Sequence, residues 1–150
     1  MKRLLFVCTG NTCRSSMAEG LAKEIFNNLG LSEWEIHSAG TYAIRGQKAN
    51  PKAIKVAFEE GIDLSEYKSK SIPANINDYD LVLTMTKSHK RQIEELFELD
   101  DRKLFMLNKF AYGTEENVVD PFGKEIDAYR ETFTQLKEAL KKVANKIKKQ

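Results

Sequence analysis

Two cysteines and an arginine lie close together near the start of the chain, in the segment LLFVCTGNTCRSSMAEGL from Leu4 to Leu21. Cys8 and Cys13 are five positions apart, and Arg14 directly follows the second cysteine. Cysteines at such a spacing can bind a metal ion, form a disulfide, act as a redox pair, or supply one nucleophile and a companion. The choice among these chemistries depends on the elements that hold the loop.

The residues from Cys8 to Arg14 are typical of an anion-binding loop. Backbone N–H groups of a tight loop can converge on one point, a helix that starts there adds partial positive charge, and an arginine supplies two parallel donors that match phosphate oxygens. The same field favours the thiolate of a cysteine at the base of the loop. The pattern predicts a nucleophilic Cys8 beneath a bound phosphate. The alternative is that Cys8 is only a buried apolar residue and that its spacing from Arg14 arises by chance.

Other residues fit the same chemistry by their type. Gly10 permits close approach of the backbone, Asn11 tolerates a left-handed conformation, and Ser15 can donate a hydrogen bond to a thiolate. A phosphocysteine mechanism also needs a general acid. Asp120 in the segment VVDPFG, Val118 to Gly123, is the candidate, but an ordinary Asp-Pro turn before the last helix explains the same residues.

The overall composition narrows the classes of function. With 150 residues, of which 41% are hydrophobic, the chain is suited to a single domain over residues 1–150 with one core. No signal peptide is recognisable and no span reaches transmembrane length, so we expect a cytoplasmic protein that does not bind membranes. A net charge of +2 is too small to indicate nucleic-acid binding, and we expect a monomer.

Metal and disulfide chemistry have little support in the sequence. Two cysteines without a secretory signal argue against a disulfide scaffold. His37 and His89 are scattered, and they provide no second ligand pair at the spacing of a zinc finger. The sequence therefore predicts neither a metal ion nor another cofactor.

Short apolar segments alternate along the chain with segments of helical periodicity. Apolar residues recur every three or four positions in the helical segments, and Asn50 followed by Pro51 is a typical helix start. We predict strands at Lys2–Val7, Trp34–Ser38 (ended by Ala39 and Gly40), Asp80–Met85 and Lys103–Leu107, and helices at Met17–Leu29 (closed by Gly30), Pro51–Glu60 (closed by Gly61), Thr86–Phe97 (capped by Thr86) and Ile126–Ile147.

Strands that alternate with helices are typical of a parallel sheet that is covered on both faces. The predicted fold is a doubly wound, flavodoxin-like α/β domain: an open parallel sheet of about four strands with helices on both faces. Such sheets bind ligands at the carboxyl ends of their strands. Cys8 directly follows the first predicted strand, so the cysteine loop is expected at that edge.

Four segments together resemble one enzyme family over nearly the full chain, the low-molecular-weight protein tyrosine phosphatases. They are FVCTGNTCRSSMAEG near the start, HSAGT at His37 to Thr41, DLVLTMT at Asp80 to Thr86 and DPFG at Asp120 to Gly123. The resemblance implies that the substrate is a phosphorylated protein and that no metal takes part. It also implies these site residues: Cys8 as nucleophile, Arg14 as phosphate clamp, Asp120 as general acid, and Thr9, Gly10, Asn11, Thr12, Cys13 and Ser15 around the phosphate.

Thr12 and Phe122 bear on the choice of substrate. Tyrosine-specific members commonly carry isoleucine at the first position and a larger aromatic residue at the second, whereas CTGNTCRS with DPFG resembles the bacterial protein arginine phosphatase branch. In that branch the threonine is implicated in selecting phosphoarginine. A threonine hydroxyl offers a hydrogen bond where substrate or water passes, although simple loop packing is its other reading. The predicted substrate is phosphoarginine, with phosphotyrosine as the alternative.

Two other functions share parts of this pattern. Arsenate reductases with a similar cysteine loop relay electrons through further cysteines downstream, and this chain has none after Cys13. A non-catalytic phosphate-binding module would need neither the thiol of Cys8 nor the carboxyl group of Asp120. A phosphatase is therefore favoured over both.

Four residues have predicted supporting roles. In the family, the second cysteine can trap an oxidised nucleophile as a reversible disulfide, so Cys13 is the candidate redox partner of Cys8. Tyr42 and Tyr112 are candidates for the rim of the substrate pocket. Asp127 is a candidate for supporting the acid loop, which is the segment Val118 to Gly123 that carries Asp120.

Overall fold

The computed structural model describes residues 1–150, and one sheet of four parallel strands lies at its centre. The strands are β1 (Lys2–Cys8), β2 (Trp34–Gly40), β3 (Leu81–Thr84) and β4 (Leu104–Met106), in the spatial order β2-β1-β3-β4. The chain continues from β1 to β2 on one side and then to β3 on the other side. The strand order therefore reverses beside β1, which is where doubly wound sheets bind ligands.

Five α-helices and one turn of 3-10 helix connect the strands and cover the sheet. The helices are α1 (Arg14–Asn28), α2 (Pro51–Glu59), α3 (Lys87–Leu96), α4 (Leu107–Tyr112) and α5 (Ile126–Lys148), and the 3-10 turn is Ile76–Asp78. Helices α1, α2 and α5 contribute to the larger hydrophobic core on one face, and α3 contributes to the smaller core on the other. The predicted doubly wound α/β fold with about four parallel strands is confirmed.

The central position of β1 in the sheet explains why its sequence is apolar without interruption. Successive side chains of a strand point to opposite faces of the sheet. Leu4 and Phe6 lie in the larger core, whereas Leu5 and Val7 lie in the smaller one. Both faces of β1 are therefore buried, and the strand carries an apolar residue at every position from Leu4 to Cys8.

The prediction that Ala39 and Gly40 end the second strand was wrong. β2 continues through Gly40, which pairs with Cys8 in the parallel ladder. A Cβ atom at Gly40 would lie 2.3 Å from the carbonyl oxygen of Thr9. The glycine is therefore needed for close packing of β2 against the loop that follows β1, and it does not act as a strand breaker there.

The predicted N-caps at Asn50 and Thr86 are confirmed, whereas the predicted start of the first helix at Met17 was wrong, because α1 begins at Arg14. The Asn50 side chain accepts a hydrogen bond from Lys52 N at 2.9 Å, and Thr86 accepts one from His89 N at 3.2 Å. Helix α4 was not predicted, because six residues are too few to show a helical period and the sequence assigned Leu107 to the preceding strand. No helix combines the length and the apolarity needed to cross a bilayer.

Candidate active site

The loop after β1 lies at the carboxyl edge of the sheet, between β2 and β3. Cys8 is the last residue of β1, and Arg14 is the first residue of α1. A cleft of about 220 Å³ opens over this loop. The cleft is lined by Cys8, Thr9, Gly10, Thr12, Cys13, Arg14, Asp120 and Phe122. Two predicted site residues, Asn11 and Ser15, are fully buried behind the loop and do not line the cleft.

The backbone N–H groups of the loop are free of protein acceptors. From Thr9 to Ser16, none of them donates a hydrogen bond to another backbone group, and the first that does is Met17 N, to Cys13 O at 3.0 Å. Free N–H groups at the start of a helix combine with the helix dipole to attract an anion. The loop is therefore suited to binding phosphate oxygens.

The thiol of Cys8 contacts a hydroxyl group whose orientation is determined by a third residue. Cys8 Sγ lies 2.8 Å from Ser15 Oγ, and Asn11 Nδ2 donates a hydrogen bond to the same Ser15 oxygen at 2.7 Å. Because the amide of Asn11 occupies a lone pair of Ser15 Oγ, the Ser15 hydroxyl hydrogen is available for Cys8. A hydrogen bond donated to sulfur favours the thiolate form.

Asn11 holds the loop through the conformation of its backbone and through three hydrogen bonds. Its φ of +60° is in the left-handed region, which asparagine tolerates better than most residues. Its Nδ2 group also donates to Ser38 Oγ at 3.0 Å, and its Oδ1 atom accepts from Lys70 N at 2.8 Å. Asn11 therefore connects the loop to β2 and to the segment after α2.

The buried polar network continues beyond Ser38. Ser38 Oγ donates to Glu19 Oε1 at 2.7 Å and also contacts the hydroxyl group of Tyr67. Glu19 is buried and pairs with the partly exposed Lys23 at 2.8 Å. Burial raises the pKa of the Tyr67 hydroxyl well above its ordinary value. The contacts of Ser38 with Glu19 and Tyr67 were not predictable from the sequence, because they join residues 19 and 29 positions apart.

Arg14 joins the phosphate loop to the loop that carries Asp120. Its side chain is 7% exposed, Nη1 donates to Val118 O at 2.9 Å, and Nη2 lies 3.5 Å from Asp120 Oδ2. Asp120 Oδ1 also accepts from Phe122 N at 3.0 Å, in the manner of an Asx turn. Asp120 therefore forms the predicted turn and also places its carboxyl group beside the cysteine loop, as predicted.

Cys13 lies on the helix side of the loop, and its pKa is raised by burial. Its Sγ atom is 3.5 Å from the hydroxyl group of Tyr129 and 3.9 Å from Thr12 Oγ1. Cys8 and Cys13 are both free thiols. Tyr129 is fully buried in α5, and the helical stripe that placed it in the core gave no indication of its contact with Cys13.

His89 at the start of α3 reaches the phosphate loop from the other side. Its Nε2 atom lies 2.8 Å from Thr9 Oγ1, and its Nδ1 atom lies 3.0 Å from Thr86 Oγ1. Burial, assisted by the positive charge of Arg14, lowers the pKa of His89 to about 4, and Asp120 partly opposes this shift. The sequence analysis considered His89 only as a metal ligand. No group of three or more metal-ligating side chains is present.

The remaining predicted residues differ in how close they lie to the cleft. Tyr42 is exposed next to the loop, and its N–H donates to Thr9 O at 3.0 Å. Tyr112 does not line the cleft and packs with Lys142 of α5 instead. The prediction that Asp127 supports the acid loop was wrong, because its carboxylate pairs with Arg130 at 2.7 Å on the exposed side of α5.

Comparisons with known proteins agree with this geometry. The model of the family "low molecular weight phosphotyrosine protein phosphatase" matches residues 3–150. A protein-arginine-phosphatase of Bacillus subtilis is 41% identical over 146 residues, which are 97% of each chain. The low molecular weight protein-tyrosine-phosphatase PtpB of Staphylococcus haemolyticus is 39% identical over 134 residues, covering 89% of this chain and 91% of its own.

A solved structure of a variant phosphatase also resembles this chain over nearly its full length. It is a cysteine-to-serine variant of the arginine phosphatase YwlE with a phosphorylated active-site serine, and it superposes with a TM-score of 0.94 at 40% identity. The match covers 98% of this chain and 96% of the other. The chain belongs to the low molecular weight phosphotyrosine protein phosphatase family and is a cysteine-dependent protein phosphatase.

Proposed function

We propose that this phosphatase hydrolyses phosphoarginine side chains of proteins through a phosphocysteine intermediate. The observation that carries the proposal is the lining of one cleft by Cys8, Thr12, Asp120 and Phe122. These residues supply a nucleophile, a hydroxyl group, a carboxyl group and an aromatic ring around one anion-binding loop. Relatives named as protein-arginine-phosphatases, at 41% and 39% identity, support the same substrate.

In the first step, the Cys8 thiolate attacks the phosphorus atom. The S–P bond forms as the bond from phosphorus to the guanidine nitrogen breaks, and Asp120 transfers its proton to that nitrogen. The loop N–H groups and the guanidinium of Arg14 stabilise charge on the three equatorial oxygens. Ser15 stabilises the thiolate before the attack through its 2.8 Å contact with Cys8 Sγ.

In the second step, water hydrolyses the phosphocysteine. The Asp120 carboxylate takes a proton from the water as its oxygen bonds to phosphorus, and the S–P bond breaks to restore the Cys8 thiolate. Inorganic phosphate leaves, and Asp120 is protonated for the next cycle. The 3.5 Å contact between Arg14 Nη2 and Asp120 Oδ2 holds the carboxyl group beside the phosphate position.

The selectivity follows from what surrounds the leaving group. Phe122 is 68% exposed at the cleft, so its face is accessible for stacking on the planar guanidine group. Thr12 Oγ1 has only a long 3.9 Å contact with Cys13 Sγ, so its hydroxyl group is free for a substrate nitrogen or for water. Isoleucine at position 12 would remove this hydrogen-bonding group.

The remaining features of the proposal concern the protein as a whole. Because the catalytic groups come from one chain, we propose a single domain, residues 1–150, that acts as a monomer on phosphorylated proteins. The two free thiols fit a reducing compartment such as the cytoplasm. The proposal includes no metal and no other cofactor.

The proposal also includes redox regulation at the phosphate loop. Peroxide would convert the Cys8 thiolate to a sulfenic acid, and the Cys13 sulfur would displace water from it to form a reversible disulfide. We expect peroxide treatment followed by peptide mapping to find a Cys8–Cys13 bridge. Recovery of sulfinic Cys8 with no bridge would contradict this part of the proposal.

The substrate can be tested by comparing phosphoarginine and phosphotyrosine peptides. We expect wild type to favour phosphoarginine and Thr12→Ile to shift the ratio of kcat/KM toward phosphotyrosine by about tenfold, because one hydrogen-bonding group is replaced by a methyl group. Cys8→Ser should abolish hydrolysis of both peptides. Thr134→Ile, a matched change on the exposed face of α5, should leave the ratio unchanged.

The second candidate is a phosphotyrosine phosphatase, which the relative named PtpB favours. Equal rates of wild type on the two peptides, unaffected by Thr12→Ile, would support that reading over the arginine assignment. An arsenate reductase receives less support, since the match to the staphylococcal arsenate reductase extends over only 85 residues, 56% of this chain, and this chain has no cysteine after Cys13.

A further inference from the structure

We propose that His89 is a positioning residue for hydrolysis, which acts by orienting the hydroxyl group of Thr9 toward the bound phosphoryl group. This inference rests on the proposed function and adds a residue from helix α3 to it. His89 is 4% exposed and does not line the cleft, whereas Thr9 is exposed and lines it beside Cys8. His89 therefore acts through Thr9 and does not touch the substrate.

The protonation of the imidazole follows from its two hydroxyl partners. Thr86 Oγ1 already accepts a hydrogen bond from His89 N at 3.2 Å, which is the N-cap of α3. The imidazole Nδ1 atom, 3.0 Å away, is the available acceptor for the Thr86 hydroxyl hydrogen. A neutral imidazole that accepts at Nδ1 carries its hydrogen on Nε2.

The Nε2–H group of His89 then donates to Thr9 Oγ1 across 2.8 Å. With this lone pair of its oxygen occupied, the Thr9 hydroxyl group turns its own hydrogen away from His89. Thr9 Oγ1 makes no other hydrogen bond, and the residue faces the cleft that contains Cys8 and Asp120. The hydroxyl hydrogen of Thr9 is therefore directed to the place where the phosphoryl oxygens bind.

The opposite tautomer of His89, with the hydrogen on Nδ1, would leave one hydrogen-bond donor without a partner. If Nδ1 carried the hydrogen, Thr86 Oγ1 would accept two hydrogen bonds and its own hydroxyl hydrogen would have no acceptor. Thr86 is only partly exposed, so a hydroxyl hydrogen without a protein acceptor is disfavoured there. The capping of α3 by Thr86 thus determines which imidazole nitrogen faces the phosphate loop.

The charge of the imidazole is also suited to this role. Arg14 and Asp120 are the charged groups that act on it, and the low pKa of His89 keeps the ring neutral at ordinary pH. A neutral ring adds no positive charge, so the positive potential at the phosphate loop comes from Arg14 and the loop N–H groups. The contribution of His89 is therefore one of hydrogen-bond direction and not of added positive charge.

The test is a double-mutant cycle between His89 and Thr9, measured as kcat and KM on the phosphopeptide that wild type hydrolyses faster. In His89→Asn, the amide can replace Nδ1 but is too short to reach Thr9, whereas in His89→Gln the amide nitrogen can replace Nε2. Thr9→Val removes the hydroxyl group at constant shape, and Thr9→Ser keeps it. His37→Asn is the control, because His37 pairs with Glu35 away from the cleft.

We expect His89→Asn and Thr9→Val each to lower kcat by about tenfold, since each removes one oriented hydrogen bond to a charged group. The double variant should be no slower than either single variant. His89→Gln and Thr9→Ser should remain within about threefold of wild type, because both keep the hydrogen bond. Thermal unfolding checks that each variant is folded.

Three results would overturn the inference. They are wild-type kcat in Thr9→Val, wild-type kcat in His89→Asn, and losses that multiply in the double variant, as two independent structural defects would. If His89→Asn fails to fold, His89→Leu, which also lacks the Nε2–H donor, takes its place in the cycle with Thr9→Val. Absence of activity in wild type on both phosphopeptides would instead refute the proposed function.

Discussion

The phosphate loop and the acid loop face the same cleft but are built in different ways. In the phosphate loop, Cys8, Asn11 and Ser15 are buried and bonded to one another. In the acid loop, the Asp120 side chain is half exposed and Phe122 lies mostly in solvent. Every substrate of a phosphatase has the same phosphoryl group, whereas leaving groups differ. In the proposed mechanism the preorganised loop binds the phosphoryl group, and the open loop contacts the leaving group.

Arg14 is the link between the two regions. Its side chain belongs to the buried loop, but it donates to Val118 O and lies beside Asp120. The loop of Asp120 is therefore attached to the cysteine loop through Arg14, the proposed phosphate clamp. Substitutions in the two loops should separate loss of catalysis from loss of stability.

The largest expected effect is loss of catalysis without loss of stability in the acid loop. Asp120→Asn should lower kcat by about 10²–10⁴-fold, because an amide cannot transfer a proton to the leaving nitrogen. The unfolding midpoint should change little, since Asp120 is half exposed. We expect steady-state kinetics and thermal unfolding to distinguish Asp120→Asn from the exposed control Asp101→Asn. Unchanged kcat in Asp120→Asn would rule out a role of Asp120 as the general acid.

The next largest effect is expected from the supporting residue of the phosphate loop. Asn11→Ala should destabilise the protein by about 2–4 kcal/mol, because it leaves Lys70 N unpaired and places alanine at a φ of +60°. It should also lower kcat, because Ser15 loses its orientation toward Cys8. Urea unfolding of Asn11→Ala and of the exposed control Asn27→Ala measures this. Equal stability of the two variants would contradict the assignment of Asn11 as the support of the loop.

A smaller effect is expected from the buried histidine behind the loop. The pKa of His89 is about 4 in the folded protein and near its ordinary 6.5 in the unfolded chain. Between these values the unfolded chain binds the extra proton, so the free energy of unfolding should fall as the pH is lowered from about 6.5 to about 4. The group should contribute a loss of about 2–3 kcal/mol across that window and none above it.

Urea unfolding at several pH values checks this contribution. The variant His89→Gln lacks the titrating group, so its stability should fall less steeply over the same window than that of wild type. The control variant Asn27→Ala changes an exposed residue that does not titrate, so its curve should run parallel to that of wild type. Parallel curves for wild type and His89→Gln would show that His89 does not titrate as stated.

The regular elements and the identity of the loop followed from local patterns. The apolar strand before Cys8, the helix after Arg14 and the caps at Asn50 and Thr86 are all visible within a few residues of sequence. The stripe of α5 is visible for the same reason, because one face of it is buried along its whole length.

The predictions that were wrong or missing have three different causes. A glycine alone does not reveal that another backbone approaches it, so the sequence predicts a strand end at Gly40. Asp127 does not support the loop of Asp120, because it pairs with Arg130 instead. Helix α4 has too few residues for a period. Only at Gly40 did the deciding contact come from a distant part of the chain, whereas Arg130 lies three residues from Asp127 in the same helix.

By itself the sequence determined the order of strands and helices, the position of Cys8 at the end of a buried strand and the spacing of the loop to Arg14. Only the tertiary structure decided that Asn11 connects to Lys70, that Arg14 reaches Val118 and that His89 meets Thr9. Periodicity and capping arise between neighbours in the chain. Hydrogen bonds between residues 59 to 104 positions apart exist only after the strands have paired.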